Sequence, residues 1–205
     1  DFVPEQSFDL APGDMLYLPP RYAHDGVAQG DCMTYSIGFR APARAELARE
    51  LLLRLADEAA ETVGEGLYAD PRQAATDVPA AIPPALAAFA QAALHKATTQ
   101  PELLAQLLGE CLTEPKANVW FDASTHQRAS AMSRGVQLDR RTKMLFDARH
   151  VFINGESVRA SGADARLMQA LANQRGLDAA TVGKASAGAR ALLDDWQQAG
   201  WLHEC

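Results

Sequence analysis

Cysteine is scarce and scattered in this 205-residue chain. Cys32, Cys111 and Cys205 are far apart, odd in number and free of any Cys-x-x-Cys pairing, so neither a disulfide framework nor a zinc knuckle is expected, and a reducing cytoplasm fits. A long apolar run is also missing. The longest uncharged stretch, 78–94, is broken by Pro79, Pro83 and Pro84 and is rich in alanine, which makes it a poor membrane span, and the opening residues do not read as a secretory signal. Basic charge is short as well, with 19 Lys and Arg against 26 Asp and Glu and a net charge of -7. That balance disfavours nucleic acid and suits a basic polypeptide partner, because encounter is steered by opposite fields. No internal repeat is visible.

What is present is ordinary globular material, 48% apolar and 22% charged, which excludes disorder and collagen-like structure. The length exceeds one average domain and falls short of two generous ones, so part of one domain and a second small one are expected. The acidity lies early: residues 1–42 carry two basic and six acidic side chains, and residues 43–115 five and eleven. The exception is 134–150, where Arg134, Arg140, Arg141, Lys143 and Arg149 outnumber Asp139 and Asp147. That spot is well short of a nucleic-acid stripe.

The period of the apolar residues changes along the chain. A Pro12-Gly13-Asp14 turn, the run Met15 to Leu18, a Pro19-Pro20 stop and the run Met33 to Phe39 predict two strands flanking a loop. From Ala43, Leu47, Leu51, Leu55, Ala59 and Val63 recur at fours and predict an amphipathic helix. Pro83-Pro84 opens a second helix to about Thr98, with Leu86, Phe89, Ala93 and Leu94 as its apolar set, and Pro101 opens a third. The third holds Leu103, Leu104, Leu107, Leu108, Cys111 and Leu112, nearly two apolar faces, which points to burial against a second subunit or against its own chain. Residues 116–135 lack periodicity and are read as a linker, with Val119-Trp120-Phe121 as its anchor. Lys143–Phe146, His150–Ile153, an Asn154-Gly155 turn and Ser157–Arg159 then give a strong hairpin signal. A helix capped by Ser161 and ended by Gly176, and another from about Ser186 to Ala199, complete a winged-helix-like module over 136–205. Trp120, Trp196 and Trp201 are read as core anchors.

Chemistry concentrates around one histidine. Gly13, five residues, Pro19, one residue, Arg21, two residues and His24 reproduce the second motif of the cupin barrels, with Arg21 where glycine is usual and Ala28 where asparagine often follows. The glycine turn starts a strand, the proline corner reaches the barrel mouth, and His24 is presented to the interior. A neutral imidazole there ligates iron, manganese, zinc or nickel without choosing among them. The plainer alternative is a hydrogen-bonded turn histidine with no metal.

The stretch PGDMLYLPPRYAHDGVAQGDCMTYSIGFRAP resembles the bacterial ribosomal oxygenases of the JmjC type, which hydroxylate an arginine of a large-subunit ribosomal protein. The motif-level similarity covers residues 11–42. It implies a mixed α+β architecture: the end of a double-stranded β-helix (cupin/JmjC) barrel over 1–42, a helical dimerisation region over 43–115, and the winged-helix-like domain after the 116–135 linker. It also implies Fe(II) held by two histidines and a carboxylate, with 2-oxoglutarate as cosubstrate, His24 standing at the second histidine, and a homodimer.

The His-x-Asp of that family is absent: His24, His95, His126, His150 and His203 are the histidines, and none has an acid two positions on. The expectation is therefore that the sequence is the carboxy-terminal part of something longer and that this chain alone is inactive. Thr34 and Ser36 share a strand face and are candidates for contacting 2-oxoglutarate, Ser36 and Asp25 for contacting substrate, while Tyr35, Ile37 and Phe39 would pack against helices. Arg21 and Arg40 are left unassigned, because the family places the 2-oxoglutarate carboxylate partner upstream. The alternative function is a cupin-type small-ligand sensor whose winged helix binds DNA. It is disfavoured because Arg166 and Arg190 on the two terminal helices are matched by Asp164, Asp194 and Asp195.

Overall fold

The computed structural model describes residues 3–39, 41–123 and 134–205, and the chain divides into two units, Asp1–Ala41 and Pro42–Cys205. In the first unit residues 3–39 form neither helix nor strand. The two strands expected at 15–18 and 33–39 are not made, because a strand exists only by hydrogen bonding to a neighbour, and neither run finds a ladder partner among the described residues. Their side chains accordingly stay in solvent: Met15, Tyr35, Ile37 and Phe39 are 77–91% exposed. The turns between the runs do form. Asp14 N–H donates to the Ala11 carbonyl (3.0 Å), the Asp14 carboxylate accepts from Ala11 N–H (2.8 Å), and Gly13 takes φ 99°, which the absence of a Cβ permits.

The second unit opens with α1 (Arg44–Asp57) and α2 (Ala59–Val63), a break at Glu58 dividing what the periodicity predicts as one helix. Next come α3 (Pro84–Thr98) and α4 (Pro101–Thr113), each with proline in its first turn, where the missing N–H is no loss. Leu86, Phe89 and Leu94 of α3 are exposed; the Phe89 ring meets the edge of Tyr68, with centroids 5.7 Å apart. On α4, Leu107, Gly109 and Thr113 are buried, whereas Leu104 and Leu112 are exposed.

After residues 124–133, which with Arg40 and residues 1–2 lie outside the described residues and include part of the expected linker, the chain builds the winged-helix module. Its strands and helices are β1 (Val136–Leu138), β2 (Met144–Phe146), β3 (His150–Ile153), β4 (Glu156–Arg159), α5 (Gly162–Gln174), β5 (Gly176–Leu177), α6 (Ala179–Val182), α7 (Ala187–Gln198) and β6 (Leu202–Glu204). Two antiparallel three-stranded sheets result, ordered β2-β3-β4 and β5-β1-β6. The hairpin turns at Asn154-Gly155 with φ 48° and 93° and closes on the Ile153–Glu156 pair, as a two-residue Asn-Gly loop should. Val136, Ile153, Leu171, Leu193 and Leu202 meet in a core with no solvent exposure.

Two expected caps differ in detail. Ser161 stands at the start of α5 but its hydroxyl accepts no capping bond, while Ser186 does cap α7 by accepting from Ala189 N–H at 3.1 Å. The left-handed residue ending α5 is Arg175 (φ 61°) rather than Gly176. Its guanidinium donates to the carbonyls of Asp139 and Thr142 (2.7–3.2 Å), which offsets a conformation disfavoured by its Cβ. Of the tryptophans, Trp196 is a core residue and Trp201 packs beside that core; Trp120 is 77% exposed and anchors nothing, that part falling to Phe121, whose ring meets Trp201 edge-on at 6.3 Å.

Candidate functional site

His24 is held by a short chain of local causes. Pro19-Pro20 stops the extended run, Tyr22 N–H donates to the Pro19 carbonyl at 3.3 Å, and Arg21 between them takes φ 71°. That is the position where the cupin motif usually has glycine. The turn requires the left-handed region, which glycine enters freely and a residue with a Cβ enters at a cost of about 1–2 kcal/mol.

Beyond the turn, His24 Nδ1 lies 3.3 Å from the Tyr22 carbonyl. A carbonyl only accepts, so Nδ1 is the donor in this contact, which in the neutral ring leaves the lone pair on Nε2. An imidazole orientated through one nitrogen and open at the other is the state in which histidine binds a metal. The ring is exposed, and no group of three His, Cys, Asp or Glu able to hold a metal ion occurs among the described residues. One donor does not define an iron site, so the described residues do not by themselves fit the metal.

Asp25, Thr34 and Ser36, the other expected site residues, are exposed and have no hydrogen-bond partner among the described residues.

The basic spot at 134–150 is largely taken up internally. Arg141 donates through its backbone N–H and Nε to Asp139 Oδ1 (both 2.8 Å) and through Nη2 to Oδ2 (3.1 Å), while Nη1 reaches the Trp120 carbonyl at 2.7 Å. With His203 Nε2 also 3.1 Å from Oδ2, these bonds hold the Asp139 carboxyl well below the usual carboxylate range, the Arg141 side chain being the first cause. Lys143 Nζ donates to the Glu114 carbonyl (2.7 Å), and Arg149 pairs with Glu102, which its hydrogen bond and charge keep lowered. Sequence reasoning missed this network, because Trp120, Asp139 and His203 meet only through the fold.

A cleft of about 220 Å³ lies between the start of α4 and the β2–β3 turn, bordered by Pro101, Glu102, Ala105, Asp147, Arg149 and His150. Most of its polar groups are engaged with one another, Glu102 with Arg149 and Asp147 Oδ1 with the N–H groups of Arg149 and His150 (2.7 and 2.6 Å), while His150 Nδ1 is buried without a hydrogen-bond partner. It offers no convergent set of free donors or acceptors.

Comparison with known proteins gives these arrangements a context. The JmjC domain family matches residues 1–47, and the ROXA-like winged-helix family matches residues 92–203. The ribosomal protein uL16 3-hydroxylase of Escherichia coli is 34% identical over 109 residues, covering 53% of this chain and 28% of that protein. A probable ribosomal oxygenase of Haemophilus influenzae is 58% identical over 33 residues, 16% of this chain and 8% of the relative. Among solved structures, YcfD, a ribosomal oxygenase from Escherichia coli in complex with cobalt and 2-oxoglutarate, superposes with a TM-score of 0.63 at 22% identity, covering 82% of this chain and 47% of that one. The chain thus spans about half of the solved chain and matches less than a third of the curated hydroxylase. The winged-helix match begins inside α3, so it takes in α4 as well as the strands and helices after residue 135. Since that match extends over more than half of the sequence, the chain belongs to the ROXA-like winged-helix family and carries a JmjC-domain segment ahead of the winged helix.

Proposed function

We propose that this chain is part of an Fe(II)- and 2-oxoglutarate-dependent oxygenase that hydroxylates an arginine side chain of a large-subunit ribosomal protein. The observation that carries the reading is His24: it sits in a JmjC-matching segment, on a cupin-type turn, with Nδ1 engaged by the Tyr22 carbonyl and Nε2 free. The relatives named as a uL16 hydroxylase and as ribosomal oxygenases support the substrate class, and a solved relative holding cobalt and 2-oxoglutarate supports the cosubstrate.

In this reading His24 is one metal ligand, Thr34 and Ser36 approach 2-oxoglutarate, and Ser36 and Asp25 face the basic substrate. Residues 1–42 belong to the barrel, 43–115 form the helical region through which two copies pair, and 136–205 form the terminal module beyond the linker. The exposed apolar side chains of α1 and α3, including Leu52, Leu53, Phe89 and Leu94, favour that pairing. The setting is cytoplasmic; among the described residues no helix is long and apolar enough to cross a membrane.

The DNA-binding alternative loses support from the cations of 134–150. Arg141, Lys143 and Arg149 are engaged by neighbours within the chain, whereas duplex binding needs several side chains free for phosphate.

The test is the complete protein supplied with Fe(II), 2-oxoglutarate and large-subunit ribosomal protein. The expected result is succinate and a mass gain of one oxygen on an arginine-bearing peptide; neither product appearing would sink the reading. His24→Ala in the complete protein should lower turnover by about 100-fold or more.

A further inference from the structure

We propose that the hairpin sheet of the winged helix is the structural platform for α4, so that the winged helix orders the helical region and its wing serves this intramolecular partner. The proposal goes beyond the oxygenase reading and does not rest on it.

All four residues of β3 are buried, which requires cover on both faces of the sheet. Val151 and Ile153 face the core shared with α5 and α7. His150 and Phe152, at the alternate positions, lie outside that core cluster and face α4. The fit there is close: a Cβ on Gly109 of α4 would stand 2.4 Å from the Phe152 ring, so only glycine lets the helix settle on it.

Polar contacts run along the same line. Gly155 N–H of the hairpin turn donates to the Thr113 hydroxyl (3.1 Å), the Ser157 hydroxyl donates to Glu110 Oε1 (2.6 Å), Lys143 donates to the Glu114 carbonyl, and Arg149 pairs with Glu102. These bonds stand at the start of the helix, at Glu102, and along its last turn and cap, from Glu110 to Glu114. Its other side carries α1, where Arg54 pairs with Glu114 and Leu55 is buried. α1 therefore reaches the winged helix through α4.

A sheet with α5 on one face and α4 on the other has no open face for a nucleic-acid groove. Its order and that of α4 are mutual, but the winged helix keeps its own core when α4 leaves, whereas α4 and α1 keep little. Their buried residues are Leu55, Leu107, Gly109 and Thr113.

Hydrogen–deuterium exchange on the full chain tests this. Phe152→Ala should raise exchange in 101–113 and 44–57 by about tenfold while 187–198 stays within about twofold of the parent, because local opening follows local packing. Unchanged exchange in α4 and α1, or an equal rise across α5 and α7, overturns the proposal. Should Phe152→Ala fail to fold, Ser157→Ala removes a single bond to Glu110, and a smaller rise confined to α4 and α1 is expected; no rise there overturns it as well.

Discussion

Residues 13–39 and residues 136–204 use the same vocabulary, short apolar runs of strand type separated by glycine and proline turns, and end in opposite states. In the first, Met15, Tyr17, Ile37 and Phe39 are 74–91% exposed and no ladder forms; in the second, Val136, Ile153 and Leu202 have no exposure and six strands pair. The difference lies in what each run meets. A strand of the hairpin sheet has α5 on one face and α4 on the other, and a partner at two residues' distance through Asn154-Gly155. The runs around His24 are separated by a loop and meet no complementary face among the described residues. Apolar pattern proposes a strand, and a partner surface makes it one.

Substitutions in both regions sharpen this contrast. Leu193→Ala empties a site with no solvent exposure in the winged-helix core and should destabilise the second unit by about 2–5 kcal/mol in denaturant melts, whereas Ile37→Ala, at 77% exposure, should change them very little. Gly109→Ala tests the seat of α4. In an open helix it would stabilise, but the Phe152 ring turns it into an overpacking change of about 1–3 kcal/mol, and pairing it with Phe152→Leu should recover part of the loss.

Asp139→Asn removes the charge shared by Arg141 and His203 and should cost about 1–2 kcal/mol near neutral pH. The sign follows from the lowered carboxyl: a folded pKa below the unfolded one gives stability that is complete above the unfolded value, near 4, and is lost as pH falls from there toward the folded value. Melts of parent and variant at pH 6, 4 and 3 should therefore converge on the acid side; a constant gap would show that the carboxylate's charge is not what matters. Last, Arg21→Gly should relieve the left-handed turn before His24 by about 1 kcal/mol, read as greater protection of the Tyr22 amide and no change in the winged helix.

Much of the fold was legible where the signal is local. The Asn154-Gly155 hairpin, the proline starts of α3 and α4 and the Pro12-Gly13 turn are all set by residues within four positions of one another, and each stands where its chemistry predicts. What was not legible depends on partners distant in sequence. β1, β5 and β6 are two or three residues long and exist through pairing of 136–138 with 176–177 and 202–204; α6 is a single turn capped by Asp178. The leucines of α4 announce burial but not its direction, which Phe152 and Gly109 decide.

The candidate site divides the same way. From the sequence alone came His24, its turn, its suitability as a metal ligand and the family resemblance, because the spacing from Gly13 to His24 is written in consecutive residues. Only the tertiary structure placed the left-handed backbone at Arg21, gave Nδ1 to the Tyr22 carbonyl, and drew the cations of 134–150 into bonds with Asp139, Trp120, Glu114 and Glu102. Local stereochemistry is carried by neighbouring residues, whereas the engagement of a charge or the burial of a face is settled by groups that only folding brings within reach.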